Sequence, residues 1–111
     1  AVGGILDLLE LAELAEQQGV QISPHCSSSM TVAPAALLHV CASIPNAELA
    51  EIYPAYIPYG EKFALKAFHL EGEYAHLSYK PGIGVDLNVS ALHTLCEHHQ
   101  STCLSLAEAT C

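Results

Sequence analysis

Residues 19–29 read GVQISPHCSSS, and the fold turns on this stretch. Val20 to Ser23 reads as a short apolar strand that Pro24 ends, because a proline cannot donate to a sheet ladder. A small polar loop, His25 to Ser29, follows. Upstream, Ile5, Leu8, Leu9, Ala12 and Ala15 recur at helical spacing among Asp7, Glu10, Glu13 and Glu16, which predicts an amphipathic helix to about Gln18. Gly19 stands where a helix needs a residue of positive φ to terminate. Downstream, an Ala- and Leu-rich helix is expected from Thr31 to Ser43, with Pro34 tolerable in its first turn. Helix, strand, loop and helix in this order is the repeating unit of an α/β fold with parallel strands.

Beyond Pro45-Asn46 the pattern changes. Glu51-Ile52-Tyr53 reads as another short strand, and residues 54–60, with their prolines and tyrosines, as a loop. Two strands, Phe63 to Leu70 and Tyr74 to Tyr79, are joined by Glu71-Gly72-Glu73, a hairpin pattern. Lys80 to Asn88 is a glycine-punctuated turn running into a strand. Val89 to His99 is expected to be a helix capped by Asn88 or Ser90. A boundary near Tyr53 thus separates an α/β half, residues 1–53, from an antiparallel α+β half, residues 54–111.

The chain has 111 residues, 51% of them hydrophobic and 14% charged, a globular composition. Its formal net charge is −9, with three lysines and no arginine. Binding to a phosphate backbone or an anionic membrane requires clustered cations, so nucleic-acid and membrane partners are excluded. No stretch approaches the ~20 apolar residues that span a bilayer. Five cysteines without secretory features point to reduced thiols and a cytoplasmic location. The chain is too short for a complete (β/α)₈ barrel of ~250 residues, and one and a half α/β units do not close a sheet.

In order and spacing, GVQISPHCSSS, IPNAELAEIYP (residues 44–54) and KPGIGVDLN (residues 80–88) resemble the C-terminal end of the enolase superfamily. The likeness is to the mandelate racemase/muconate lactonizing enzymes, in their racemase-like branch, and runs from Gly3-Gly4 to about Leu92. The resemblance implies that residues 1–53 are the last strands and helices of a (β/α)-barrel. Residues 54–111 would return to an α+β capping domain, with an unmatched tail at 93–111. It implies abstraction of the proton α to a carboxylate, with His25 as general base or acid at the end of a strand. Glu51, or next to it Glu48, would be the acid on the following strand, protonated so that it donates to the substrate carboxylate. Ser27 and Ser28, with Ser29, would line the pocket, although a serine loop that caps the next helix reads equally well.

The parent enzyme implied is a Mg²⁺-dependent acid-sugar dehydratase or hydroxy-acid racemase, dehydration being favoured. Its substrate would be a small carboxylate or acid sugar, and its assembly a homo-oligomer. The muconate-lactonizing branch uses lysines on other strands and has no need of His25. The metal-binding acids and the partner acid of His25 are not in the 111 residues, which alone are expected to bind no catalytic Mg²⁺ and to be inactive. Two further readings compete. One is a non-catalytic binding or oligomerisation module that pairs its free sheet edge with a second copy. The other is a small metal-binding protein built on His93, Cys96, His98, His99 and Cys103, whose spacing is not that of a two-pair zinc site. Cys26 lacks any marker of an activated nucleophile.

Overall fold

The computed structural model describes residues 2–26, 29–65 and 67–99, and for His98 and His99 the backbone alone. The elements are α1 (Ile5–Gln17), β1 (His25–Cys26), α2 (Val32–Ser43), β2 (Glu51–Ile52), a 3₁₀ turn (Pro54–Tyr56), α3 (Ile57–Gly60), β3 (Phe68–Glu71), β4 (Tyr74–Leu77) and α4 (Val89–His99). β1 and β2 pair in parallel, whereas β3 and β4 form an antiparallel hairpin. The fold class is therefore α/β, as expected.

The helix α1 turns Leu8, Leu9, Ala12 and Ala15 inward, while Leu6 on its other side is 73% exposed. It ends as the glycine predicts. Gly19 has φ 67°, its N–H reaches the Glu16 carbonyl at 2.8 Å, and the Val20 N–H reaches the Ala15 carbonyl at 2.8 Å. These two bonds are the Schellman pattern, which satisfies carbonyls the helix itself leaves unpaired. The core centres on α2, where Pro34, Ala35, Leu37, Leu38 and Val40 are all buried. A helix apolar on nearly every side is one that other elements surround.

Asn46 fastens the two βα units together. Its side chain is buried, and Nδ2 donates to the Ala12 carbonyl at 2.9 Å and to the Val20 carbonyl at 3.1 Å. Its own carbonyl accepts from the Ile22 N–H at 2.9 Å. What the sequence offers as a turn residue is thus a buried bracket between the end of α1, the entry to β1 and the entry to β2.

The second half differs from expectation in two places. Residues 54–60 are helical rather than a loop, because Pro54 and Pro58 each occupy a first-turn position, where a fixed φ is already correct. The segment 63–65 does not extend β3. It pairs instead with residues 86–88, through an Ala64–Leu87 antiparallel bridge and bonds from the Leu65 N–H to the Asp86 carbonyl and from the Asn88 N–H to the Phe63 carbonyl. The hairpin turns at Gly72, φ 60°. α4 covers the predicted span, and Asn88 Oδ1 caps it by accepting from the Ala91 N–H at 3.1 Å. Among the described residues, no helix is long and apolar enough to cross a membrane.

Candidate active site

The parallel pairing of the first half begins at Ile22, which bridges Ala47, and continues at His25 and Cys26, which face Glu51 and Ile52. Two residues, 23 and 24, separate these points on one strand, but three, 48 to 50, separate them on the other. The second strand therefore carries one extra residue, a bulge. Pro24 sits at this point; it has no N–H to give, and its carbonyl accepts from the Glu51 N–H at 3.2 Å. A continuous register from Ile22 would set His25 opposite Ala50. The bulge is what brings Glu51 there.

The consequence is a contact between the two residues that the sequence singles out. His25 Nδ1 lies 2.9 Å from Glu51 Oε2, with the two side chains 58% and 63% exposed. The alternative acid, Glu48, takes no part in that contact; its N–H is used by the Ile22 carbonyl at 3.0 Å. An exposed pair of this type contributes only about 0–1 kcal/mol to stability. Its significance is orientation: with Nδ1 held by a carboxylate, Nε2 is the ring nitrogen left open.

Beside this pair, along the edge of β1 that β2 does not occupy, lies an open trough of ≈ 390 Å³ between α1 and α2. Its walls include Ile5, Leu8, Ala33, Leu37 and Val40, with Pro24, His25 and Cys26 at the strand. The lining is almost wholly apolar, which suits another strand better than a sugar acid. Cys26 is buried and free, as is the thiol of the half-buried Cys41. Burial pushes the Cys41 thiol above its ordinary value, a backbone hydrogen bond offsetting part of the shift.

Ser27 and Ser28, expected to line the pocket, lie outside the described residues, as do Cys103 and the other residues of 100–111. Cys96, by contrast, is disulfide-bonded, which departs from the expectation of reduced thiols and removes its sulfur from the tail's proposed ligand set. The expectation rested on composition, which says nothing about any individual pair of sulfurs. Mg²⁺ takes oxygen donors in near-octahedral geometry. The three-ligand group found among the described residues is His69, Glu71 and His76, with a single carboxylate. The described residues do not fit a magnesium site.

Comparison with known proteins places this geometry in a family. Residues 1–91 match the family described as enolase C-terminal domain-like. A D-galactonate dehydratase family member from Streptomyces bingchenggensis is 36% identical over 87 residues, covering 78% of this chain and 21% of its own length. An enolase from Sargasso Sea environmental sequencing superposes with a TM-score of 0.80 at 42% identity, covering 84% of this chain and 25% of that one. At 23% identity and a TM-score of 0.66, an enolase from Pseudomonas fluorescens, solved with bound magnesium, potassium and tartrate, shares the fold; 88% of this chain and 23% of that one are covered. This chain therefore spans about a fifth to a quarter of the length of these relatives.

Proposed function

The chain belongs to the enolase C-terminal domain-like family, and from that premise we propose that it is the C-terminal part of an acid-sugar dehydratase in which His25 is the acid/base residue. The observation that carries this reading is the 2.9 Å contact between His25 Nδ1 and Glu51 Oε2 at two adjacent parallel strands. The resemblance to the galactonate dehydratase family member favours dehydration over racemisation.

The Glu51 carboxylate accepts from Nδ1–H and fixes the ring orientation and tautomer. His25 Nε2, which no described residue bonds, then exchanges a proton with the substrate. Removing a proton α to a carboxylate leaves two negative charges on one small molecule. In the superfamily, magnesium meets that charge, and its ligands would come from residues outside this chain. The 111 residues on their own would turn nothing over. The apolar trough beside β1 supports the same reading, since a preceding parallel strand seated there would cover the exposed Ile5 and the half-buried Leu8. Parallel strands are ordinarily covered on both faces and flanked by further strands.

The test is a panel of acid sugars, aldonates of differing stereochemistry, incubated with the full-length protein and Mg²⁺. Formation of a 2-keto-3-deoxy product, detected as a semicarbazone, is the expected result. Turnover of none of the panel, with a correctly folded and magnesium-loaded protein, would remove the dehydratase assignment.

A further inference from the structure

The β3–β4 hairpin carries a cluster that the proposed proton chemistry does not use. His69 and His76 are direct cross-strand partners, and Glu71 stands two residues along β3 from His69. Side chains alternate between the faces of a strand, so His69, Glu71 and His76 share one face. That face is the exposed one: His69, Glu71 and His76 are all solvent-accessible, whereas Ala75 and Leu77 on β4 turn partly inward.

The two imidazole rings stack with centroids 4.6 Å apart and planes 12° from parallel. His76 Nε2 lies 3.4 Å from Glu71 Oε2. One ligand atom from each of the three residues falls within 4.8 Å of the others. Two ligands at about 2.0–2.2 Å from a tetrahedral zinc ion are about 3.4 Å apart. The His76–Glu71 edge already has this length, and the remaining edges close by small side-chain rotations on an exposed surface. The cavity that His69 and His76 border also includes His39 of α2, whose Nε2 is buried with no hydrogen-bond partner among the described residues.

We propose that this face of the hairpin is a divalent transition-metal site, with His69, His76 and Glu71 as its ligands and water completing the shell. Two imidazoles and a carboxylate are the donor set of zinc and its neighbours, and not of magnesium or calcium. Turn geometry pre-organises the site, because Gly72 holds the two strands in the register that sets His69 against His76. The ion joins the strands across the hairpin and so stabilises the folded form in proportion to its occupancy.

Metal-stripped full-length protein titrated with Zn²⁺ by calorimetry tests the proposal, with His76→Asn and Glu71→Gln as variants. Both substitutions fall on an exposed face, and unchanged circular dichroism confirms that each variant folds. The wild type should show a Zn²⁺ binding event, distinct from any that Mg²⁺ competes for, that His76→Asn weakens at least about 10–100-fold, the loss that even an outer-shell partner's removal causes. Glu71→Gln should weaken the same event, and Mg²⁺ at equal concentration should not compete for it. A titration identical in wild type and His76→Asn would overturn the assignment, as would no Zn²⁺ binding at all. A Zn²⁺ event abolished by His93→Asn/His99→Asn and untouched by His76→Asn would move the metal to the tail and also overturn it.

Discussion

Replacing Asn46 by alanine removes two hydrogen bonds at once, to the Ala12 and Val20 carbonyls at 2.9 and 3.1 Å. A net intramolecular hydrogen bond contributes about 0.5–1.5 kcal/mol, so the two together are worth about 1–3 kcal/mol. Acting the other way, Asn46 Oδ1 is itself buried with no hydrogen-bond partner among the described residues, and alanine removes that cost. The expected destabilisation for Asn46→Ala is therefore about 2 kcal/mol. Asn46→Asp discriminates the mechanism, because a carboxylate can only accept and would face two carbonyl oxygens with no donor between them. It should cost more than alanine at neutral pH, although it is the closer isostere. Urea denaturation followed by circular dichroism measures both, read as shifts in midpoint at constant slope. If Asn46→Ala is within about 0.5 kcal/mol of wild type, or Asn46→Asp is no worse than alanine, the bracket described for this residue is wrong.

Gly60 closes α3 against the chain at Met30-Thr31, where an added Cβ would stand 2.7 Å from the Met30 carbonyl oxygen and 2.5 Å from Thr31 Cγ2. Gly60→Ala should therefore destabilise by about 1–3 kcal/mol, the usual cost of overpacking, against the gain alanine normally brings to a helix; thermal unfolding reads the sign directly. With the Cys41 thiol pushed up by burial, a smaller fraction is thiolate at any given pH. Iodoacetamide at pH 8 should alkylate Cys41 more slowly in folded than in urea-unfolded protein, and peptide mass spectrometry should show that gap narrowing as pH rises.

Local patterns in the sequence were readable wherever one short-range interaction decides the outcome. The inward stripe of α1, its termination at Gly19 and the Asn88 cap of α4 each rest on residues within a turn or two of one another. The strand order β1–β2 also follows from the α/β alternation. What the sequence hid is non-local. Nothing in AELAEIY, residues 47–53, announces that one extra residue sits opposite Pro24, yet that bulge decides whether Glu51 or Ala50 faces His25. Asn46 reads as a turn residue because turn chemistry and buried bracketing favour the same amide side chain. The segment 63–65 looks like the start of β3, and only the presence of residues 86–88 alongside it claims its hydrogen bonds. His69 and His76, seven residues apart, become neighbours through the hairpin register; the Gly72 turn was the available clue, and counting back from it pairs them.

The His25–Glu51 contact bears most of the functional reading, and α-proton exchange tests it most directly. The full-length protein, with an acid-sugar substrate in deuterium oxide, should exchange the α proton for solvent deuterium that enters at C3 as C2 becomes the product's carbonyl, as seen by proton NMR. His25→Asn should abolish that exchange with Mg²⁺ binding and unfolding midpoint unchanged, because the His25–Glu51 pair is exposed and contributes little to stability. Exchange that proceeds at the wild-type rate in His25→Asn would contradict the account.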